Sequence, residues 1–435
     1  MNTQLPTNIT KYLNKFSSTK WKTFHAHSRK YKTIIVIPAI SEFENLGLLI
    51  ESLSQNEDSY FSETLILFVI NNLASTSQKI KLDNLKSIGL IKKLHETYLN
   101  TFQINIDLVD ASTKGKELEE KNGGVGLARK IGMDLALTLF DYDSKNQNLL
   151  VCLDGDCTVE PNYITTIRNY FNENNISVGY VNFKHMDVLD AENERAIINY
   201  EIFLRYYVLG LIYAKSPYAY HSIGSTMVCD SDSYIKVQGM NKRKAAEDFY
   251  FMEKLSKITT IKKIGDTAVL PSSRGSWRVP FGTGQRVNRF LDNVQDEYIL
   301  YSPNSFDVLR KWVELFHSKE VLSSNDYLCE AKKISTALLN FLSHNNFEEN
   351  WNRILRNSNS NSQINRQKSI WFDGFKTLKL IHYLRDEESP TINMFDALDE
   401  LFNMLGQNIN FKNTKGNIPN IDIQKNYLKK LREIA

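Results

Sequence analysis

The first half of the chain alternates short apolar runs with amphipathic helical patterns. Residues 33–37 are an apolar, β-branched run after Thr33, which predicts a strand buried on both faces. Further strands are predicted at residues 65–70, 104–109 and 149–153, and residues 176–181 are a candidate for a fifth. Between them, apolar residues recur at helical spacing, as at Leu46, Leu49, Ile50 and Leu53. This alternation predicts an α/β fold with a mostly parallel, doubly wound sheet and helices on both faces.

The alternation ends near residue 183. A long helical pattern covers residues 192–214, and a shorter one covers 247–258. Beyond about residue 300 the pattern is helical with polar connections, which predicts a C-terminal helical extension. The apolar stretch 202–214 is too short to span a bilayer and contains Arg205. It favours a buried helix, with an interfacial helix near a membrane as the alternative.

Composition narrows the class of protein. The chain has 435 residues, of which 42% are hydrophobic and 24% charged, as expected for a globular protein with a sizeable core. A net charge of +3 on this length gives no reason to expect nucleic-acid binding. The four cysteines form no C-x-x-C pair, which favours reduced thiols in the cytoplasm. The polar first residues do not resemble a signal peptide, and no apolar run is long enough to cross a membrane.

The strongest candidate for chemistry is Asp154-Gly155-Asp156, directly after the apolar run 149–153. Ligands of open α/β sheets bind at the carboxyl ends of strands. Two carboxylates one residue apart, with a glycine that permits a sharp turn, can hold a hard divalent cation. An Asp-Gly pair is also common in plain turns, but its place at a strand end favours a metal site for Asp154 and Asp156.

A second acidic pair, Glu247-Asp248, begins a helical pattern. The helix dipole favours acidic residues in a first turn, and this is the simpler interpretation. The functional interpretation makes one carboxylate a general base, kept ionised by the helix N-terminus, that takes a proton from an acceptor hydroxyl.

Taken in order, five segments resemble the family-two inverting glycosyltransferases of the GT-A fold. Residues 37–42 resemble the P-A-Y-N-E turn after the first strand, and 71–72 stand where the second strand of that family ends. Residues 126–132 resemble G-x-A-R-N-x-G, and 154–156 match the metal-binding D-x-D. Residues 237–248 resemble the acceptor-side segment that ends in Glu-Asp. The resemblance covers about residues 32–290.

The resemblance implies roles for individual residues. Asp248 would be the catalytic base, with Glu247 supporting it or contacting the acceptor, and Asp154 and Asp156 would hold Mg²⁺ or Mn²⁺. The resemblance and the Gly-rich loop 272–286 together give the candidate donor-binding residues Pro38, Glu42, Asn71, Asn72, Arg129, Asp154 and Arg278.

Two features depart from the family pattern. Asn71 and Asn72 replace the acidic residue that often recognises the base or ribose, so a uridine preference does not carry over. The Gly-rich loop 272–286 places Arg274, Arg278 and Arg286 where they could close over a diphosphate, although a solvated basic loop is equally consistent with it. It lacks the Q-x-x-R-W of processive synthases, which predicts a non-processive enzyme.

The sequence therefore predicts a metal-dependent, inverting glycosyltransferase that uses a nucleotide-sugar donor and a saccharide or lipid-linked acceptor. A sugar-nucleotide pyrophosphorylase and a non-catalytic scaffold with the same fold remain alternatives. The expected location is cytoplasmic, with peripheral contact at the inner face of a membrane left open. The expected organisation is an N-terminal extension, a nucleotide-sugar-binding half, an acceptor-side half and a helical extension, at residues 1–31, 32–182, 183–300 and 301–435.

Overall fold

A computed structural model describes residues 5–27, 30–101, 104–144, 146–188, 190–275, 282–407, 409, 411 and 413–435. Its strands are β1 (Thr33–Ala39), β2 (Thr64–Asn71), β3 (Asn105–Ala111), β4 (Leu149–Cys152), β5 (Cys157–Val159), β6 (Val178–Phe183), β7 (Met227–Asp230), β8 (Lys262–Pro271), β9 (Ile299–Leu300) and β10 (Ile392–Asn393). Its helices are α1 (Thr7–Phe16), α2 (Phe43–Ser54), α3 (Gln78–Thr101), α4 (Val125–Leu139), α5 (Tyr163–Asn174), α6 (Ala191–Tyr213), α7 (Ser231–Lys236), α8 (Glu247–Ser256), α9 (Thr283–Leu291), α10 (Pro303–Phe316), α11 (Ser324–Ile334), α12 (Thr336–His344), α13 (Phe347–Asn357), α14 (Asn361–Trp371), α15 (Gly374–Glu387), α16 (Met394–Met404) and α17 (Ile421–Ile434).

The chain divides into two compact units. Unit 1 comprises residues 1–187 and 222–284, and unit 2 comprises 188–221 and 285–435. Among the described helices, none is long and apolar enough to cross a membrane.

Unit 1 is built on an eight-stranded mixed sheet. The strand order is β3-β2-β1-β4-β7-β6-β8-β5. Strands β3, β2, β1 and β4 run parallel, so the loops that follow them meet at one edge of the sheet. Strand β7 pairs antiparallel with both β4 and β6, and β5 pairs antiparallel with β8. The predicted α/β fold is confirmed, while β5 and β8 were not anticipated from the sequence pattern.

Helices cover both faces of this sheet. Ile35 and Ile37 of β1 lie in one core cluster with the apolar side of α2, α3 and α5. Val36 points to the opposite face, where α4 packs. Gly132 allows that close approach, because a Cβ at this position would lie 2.4 Å from Val36 Cγ1 and 2.9 Å from Val69 Cγ2. The G-x-A-R-K-I-G segment therefore ends in a glycine that seats α4 against β1 and β2.

Helix α1 belongs to unit 1. The Tyr12 hydroxyl donates to Asp134 Oδ1 at 2.8 Å, and the Tyr234 hydroxyl donates to the same oxygen at 2.7 Å. Lys130 Nζ lies 2.9 Å from Asp134 Oδ2 and donates to the Tyr12 hydroxyl. This buried network joins α1, α4 and α7, and it fixes the face of α4 that lies away from the sheet.

Unit 2 is mainly helical, which confirms the predicted C-terminal helical region. Its core includes aromatic side chains from several helices, such as Trp312, Phe316, Tyr327, Phe347 and Trp351. Residues 202–213 of the predicted apolar stretch lie in α6, Ala214 is its C-cap, and Arg205 is fully buried. Glu201 accepts from Arg205 Nε at 2.9 Å and from Arg432 Nε at 2.7 Å, so this buried guanidinium is paired.

Candidate active site

The candidate site lies at the edge of the sheet where β1, β2, β3 and β4 end. Asp154 and Asp156 follow β4 in a tight turn, and Glu42 is the residue directly before α2, after β1. Gly155 lets the two loops approach closely, since a Cβ there would lie 3.2 Å from Glu42 Cγ and 3.4 Å from Ala39 Cβ. The parallel pairing of β1 with β4 thus places three predicted carboxylates side by side.

Arg129 on α4 links the two acidic pairs predicted from the sequence. Its Nη1 donates to Glu247 Oε1 and its Nη2 donates to Asp154 Oδ1, and its side chain is only 3% exposed. Burial alone would lower the pKa of Arg129, but the carboxylates of Asp154 and Glu247 outweigh it and raise that pKa. A permanent buried cation therefore sits between the D-x-D turn and the start of α8.

Two glycines make room for this arrangement. A Cβ on Gly126 would lie 2.4 Å from the Arg243 carbonyl oxygen and 3.0 Å from Glu247 Cβ, so only glycine lets α4 approach the start of α8. Gly224 lies against the guanidinium, and a Cβ there would be 2.3 Å from Arg129 Nη2. Neither position was assigned a role from the sequence, since a glycine's neighbours are set by the fold.

Gly224→Ala should destabilise unit 1 because the new methyl group displaces the Arg129 guanidinium from its carboxylates. We expect a loss of about 1–3 kcal/mol in the free energy of unfolding, typical of overpacking. Gly265→Ala is the matched control, since a Cβ on Gly265 meets no atom within 4 Å, and it should change stability by less than about 0.5 kcal/mol. Urea unfolding of both variants tests this, and equal effects would argue against the packing role of Gly224.

A second arginine holds the other side of the turn. Arg274, after β8, donates through Nη2 to Glu42 Oε1 at 2.6 Å, Glu42 Oε2 at 2.7 Å and Asp156 Oδ2 at 3.0 Å. Burial acts to lower the pKa of Arg274, but the hydrogen bond and charge of Glu42 raise it overall. Of the other two loop arginines, Arg278 lies outside the described residues. Arg286 pairs in unit 2 with Glu297 at 3.1 Å.

Glu247 and Asp248 begin α8, as the sequence predicted. Glu247 is buried against Arg129, and Asp248 Oδ1 accepts a hydrogen bond from the Phe249 amide at 2.7 Å. Burial, and next the charge of Glu247, raise the pKa of Asp248 to about 7, although Arg129 partly opposes this. From the sequence, the helix N-terminus was expected to keep Asp248 deprotonated at neutral pH, but desolvation and a like charge dominate here.

Asn71, Asn72 and Pro38 are buried framework residues. Asn71 Nδ2 donates to the carbonyl oxygens of Ala39 and Val69, both at 3.1 Å. Asn72 Nδ2 donates to the Ser112 carbonyl oxygen at 3.1 Å. These amides tie together the ends of β1, β2 and β3. Pro38 lies within β1, opposite Val69 of β2. All three residues lie at this edge of the sheet, and the two asparagines donate their amide hydrogens to backbone carbonyl oxygens.

Asp110, at the end of β3, was not singled out from the sequence. Burial acts to raise its pKa, but hydrogen bonds from Thr113 and Ser112, with Lys116, lower it to about 2. The Thr113 hydroxyl donates to Asp110 Oδ2 at 2.5 Å, and Lys116 Nζ lies 3.1 Å from the same oxygen. The available signal was its place directly after the predicted strand 104–109, since Asp154 likewise follows a predicted strand.

The D-x-D turn fits a divalent cation that is shared with a ligand. The side chains of Asp154 and Asp156 are 34% and 27% exposed. Within the described parts of the chain, no group of three or more acidic, histidine or cysteine side chains could hold a metal alone. Two carboxylates completed by phosphate oxygens are a common arrangement for Mg²⁺. The donor set therefore suits a metal bound together with a phosphorylated ligand.

Comparisons with known proteins give only distant similarity. No family model matches the chain, and no curated protein matches it. Among solved structures, S. aureus TarS 1-349 in complex with UDP-GlcNAc is 14% identical with a TM-score of 0.38, over 88% of this chain and 95% of that one. Mannosyltransferase PcManGT from Pyrobaculum calidifontis, in complex with GDP-Man and Mn²⁺, is 11% identical with a TM-score of 0.37, over 86% of this chain and 90% of that one. Values this low do not assign an activity.

Proposed function

We propose that the chain is a family-two, GT-A-type glycosyltransferase that transfers a sugar from a nucleotide-diphosphate sugar to an acceptor hydroxyl, with inversion and without processivity. The observation that supports this best is the arginine bridge. Arg129 brings Asp154 of the D-x-D turn and Glu247 of the Glu-Asp pair onto one guanidinium, although they are far apart in the sequence. A candidate metal site and a candidate base thus belong to one site within unit 1.

In the proposed reaction, Asp248 accepts the proton of the acceptor hydroxyl while that oxygen bonds to the anomeric carbon. The bond from the anomeric carbon to the phosphate oxygen breaks, and the nucleoside diphosphate leaves with the bonding electrons. Mg²⁺ or Mn²⁺ held by Asp154 and Asp156 would neutralise charge on the departing diphosphate. Glu247 pairs with Arg129 beside Asp248. Burial, and next the charge of Glu247, raise the pKa of Asp248, which makes it a stronger base.

In this proposal, the nucleotide-sugar donor binds at the edge of the sheet where β1, β2, β3 and β4 end. Glu42 and the D-x-D turn line it, while Pro38, Asn71 and Asn72 fix the strand ends beneath it. Arg278 stays a predicted donor contact. The functional division at residues 32–182 for the donor and 183–300 for the acceptor stays a prediction, as do the extensions at 1–31 and 301–435 and the cytoplasmic location.

A pyrophosphorylase is the nearest enzymatic alternative. It would normally have a Gly-rich phosphate loop after the first strand, whereas here β1 ends at Ala39 and α2 begins at Phe43 with no glycine between them. A non-catalytic scaffold has no need for Asp248 to have a pKa near neutrality in an acidic cluster. Both observations favour the transferase.

A panel of nucleotide sugars with and without Mn²⁺ tests the proposal. UDP-GlcNAc and GDP-Man are the first donors to try, because they are bound in two of the similar structures. We expect metal-dependent release of nucleoside diphosphate from at least one donor, and a product of opposite anomeric configuration by NMR. Formation of nucleoside triphosphate from pyrophosphate would indicate the pyrophosphorylase, and absence of metal-dependent nucleotide binding in calorimetry would indicate the scaffold.

The pH profile should report Asp248. A base must be ionised to accept a proton, and the pKa of this carboxyl is raised to about 7. We therefore expect kcat/KM to rise about tenfold per pH unit below about 7 and to level off above it. An acid limb near the ordinary aspartate pKa of about 4 would contradict this assignment.

A further inference from the structure

We propose that Arg274 is a switch residue that occupies Asp156 until a nucleoside diphosphate arrives and then releases it, so that metal and diphosphate bind cooperatively. This inference rests on the proposed function. It concerns the order of events at the site, which the D-x-D motif alone does not determine.

Arg274 has a close pairing with Glu42, which serves as its anchor, and a longer contact with Asp156. Glu42 is the anchor, because both of its carboxylate oxygens accept from Arg274 Nη2 at 2.6 and 2.7 Å. Glu42 is itself only 6% exposed and also accepts from Asn45 Nδ2 at 2.6 Å. The contact with Asp156 is longer, at 3.0 Å, and involves the more exposed of the two carboxylates. The Asp156 contact is therefore the one that can open without releasing the anchor.

The guanidinium and a divalent cation need the same carboxylate. While Arg274 donates to Asp156 Oδ2, a metal would have to share that oxygen with the guanidinium and would lie close to its positive charge. A diphosphate changes this balance, since its oxygens can ligate the metal and accept from the guanidinium at the same time. Each ligand then binds more tightly when the other is present, and linkage makes the effect reciprocal.

Arg129 provides an internal contrast. It also contacts a D-x-D carboxylate, but it is buried between Asp154 and Glu247. Moving it would leave Glu247 buried without its counter-ion, which is strongly unfavourable. Arg274 is 37% exposed and follows the end of β8, and it can give up Asp156 while it keeps its contacts with the buried Glu42. Of these two arginines, only Arg274 is placed to exchange partners.

Titration of the full-length protein with Mn²⁺, with and without UDP or GDP, tests the switch without relying on turnover. For the wild type, we expect UDP or GDP to raise the affinity for Mn²⁺ by about fivefold or more. Without nucleotide, Arg274→Gln should bind Mn²⁺ more tightly than the wild type does. The increase in Mn²⁺ affinity caused by nucleotide should be smaller in this variant by a similar factor. Arg274→Lys keeps the charge and should recover part of the coupling.

Lys184→Gln is the matched control. Lys184 pairs with Glu160 at 2.8 Å in the same unit, so this variant removes one positive charge without touching the site. It should leave both Mn²⁺ affinities within about twofold of the wild type. The switch would be overturned if Arg274→Gln binds nucleotide but, without nucleotide, binds Mn²⁺ no more tightly than the wild type does. That result would leave the proposed function intact. Failure of the wild type to bind any nucleoside diphosphate would overturn both.

Discussion

Asp248→Asn should slow sugar transfer by at least about a hundredfold while nucleotide and Mn²⁺ binding stay close to wild type. The amide keeps the size of the carboxyl group but has almost no proton affinity, so the substitution isolates the proton-transfer step. General-base catalysis usually contributes about 10²- to 10⁴-fold. Single-turnover transfer rates and calorimetric binding of nucleotide, measured on one preparation, separate chemistry from binding.

Stability distinguishes this role from a plain helix-dipole role. Because the folded state raises the Asp248 pKa to about 7 from an ordinary value near 4, it favours the protonated carboxyl. The resulting stabilisation is complete below about pH 4 and is lost as the pH rises through about 7. Asp248→Asn should therefore be neutral or stabilising at pH 8. A helix-dipole partner would instead lose about 0.3–1 kcal/mol on substitution and keep near-normal turnover.

Asp232→Asn is the control for the dipole effect. Asp232 also lies in a first helical turn, that of α7, and it is exposed. Its substitution should leave transfer unchanged and lower stability slightly. If Asp248→Asn behaved in the same way, Asp248 would not be the base, and Glu247 would become the next candidate despite its bond to Arg129.

Asp156→Asn and Asp154→Asn should remove metal-dependent nucleotide binding and lower transfer by several hundredfold or more. The metal is expected to stabilise the leaving diphosphate by several kcal/mol, and each 1.4 kcal/mol corresponds to about tenfold in rate. The fold should survive in both variants, because each side chain is partly exposed and Arg129 and Arg274 keep Glu247 and Glu42 as partners.

Asp143→Asn is the matched control, since Asp143 is an exposed aspartate in the loop before β4. Mn²⁺-dependent nucleotide binding, followed by calorimetry, should be normal in this variant. Wild-type metal dependence in both D-x-D variants would show that the turn does not hold the cation.

Much of the fold of unit 1 was determined by local sequence pattern. Residues 34–37 are apolar at every position, which suits a strand covered on both faces, and they lie in β1. The placement of Asp154 and Asp156 also followed from sequence, because residues directly after a parallel strand must lie at its carboxyl edge. Strand β8 escaped prediction because polar residues interrupt its pattern, as at Asp266.

The partners of the charged side chains were decided only by the tertiary structure. Arg129 pairs with Glu247 across 118 residues of sequence, and Arg274 pairs with Glu42 across 232. No local sequence pattern predicts these long-range pairings, since they follow from the order of strands in the sheet and from glycines that let backbones approach. The pKa of Asp248 depends on the same assembly. A helix start in the sequence suggested an easily ionised carboxyl, but burial beside Glu247 favours the protonated form, because desolvation and a neighbouring like charge act only once the chain is folded.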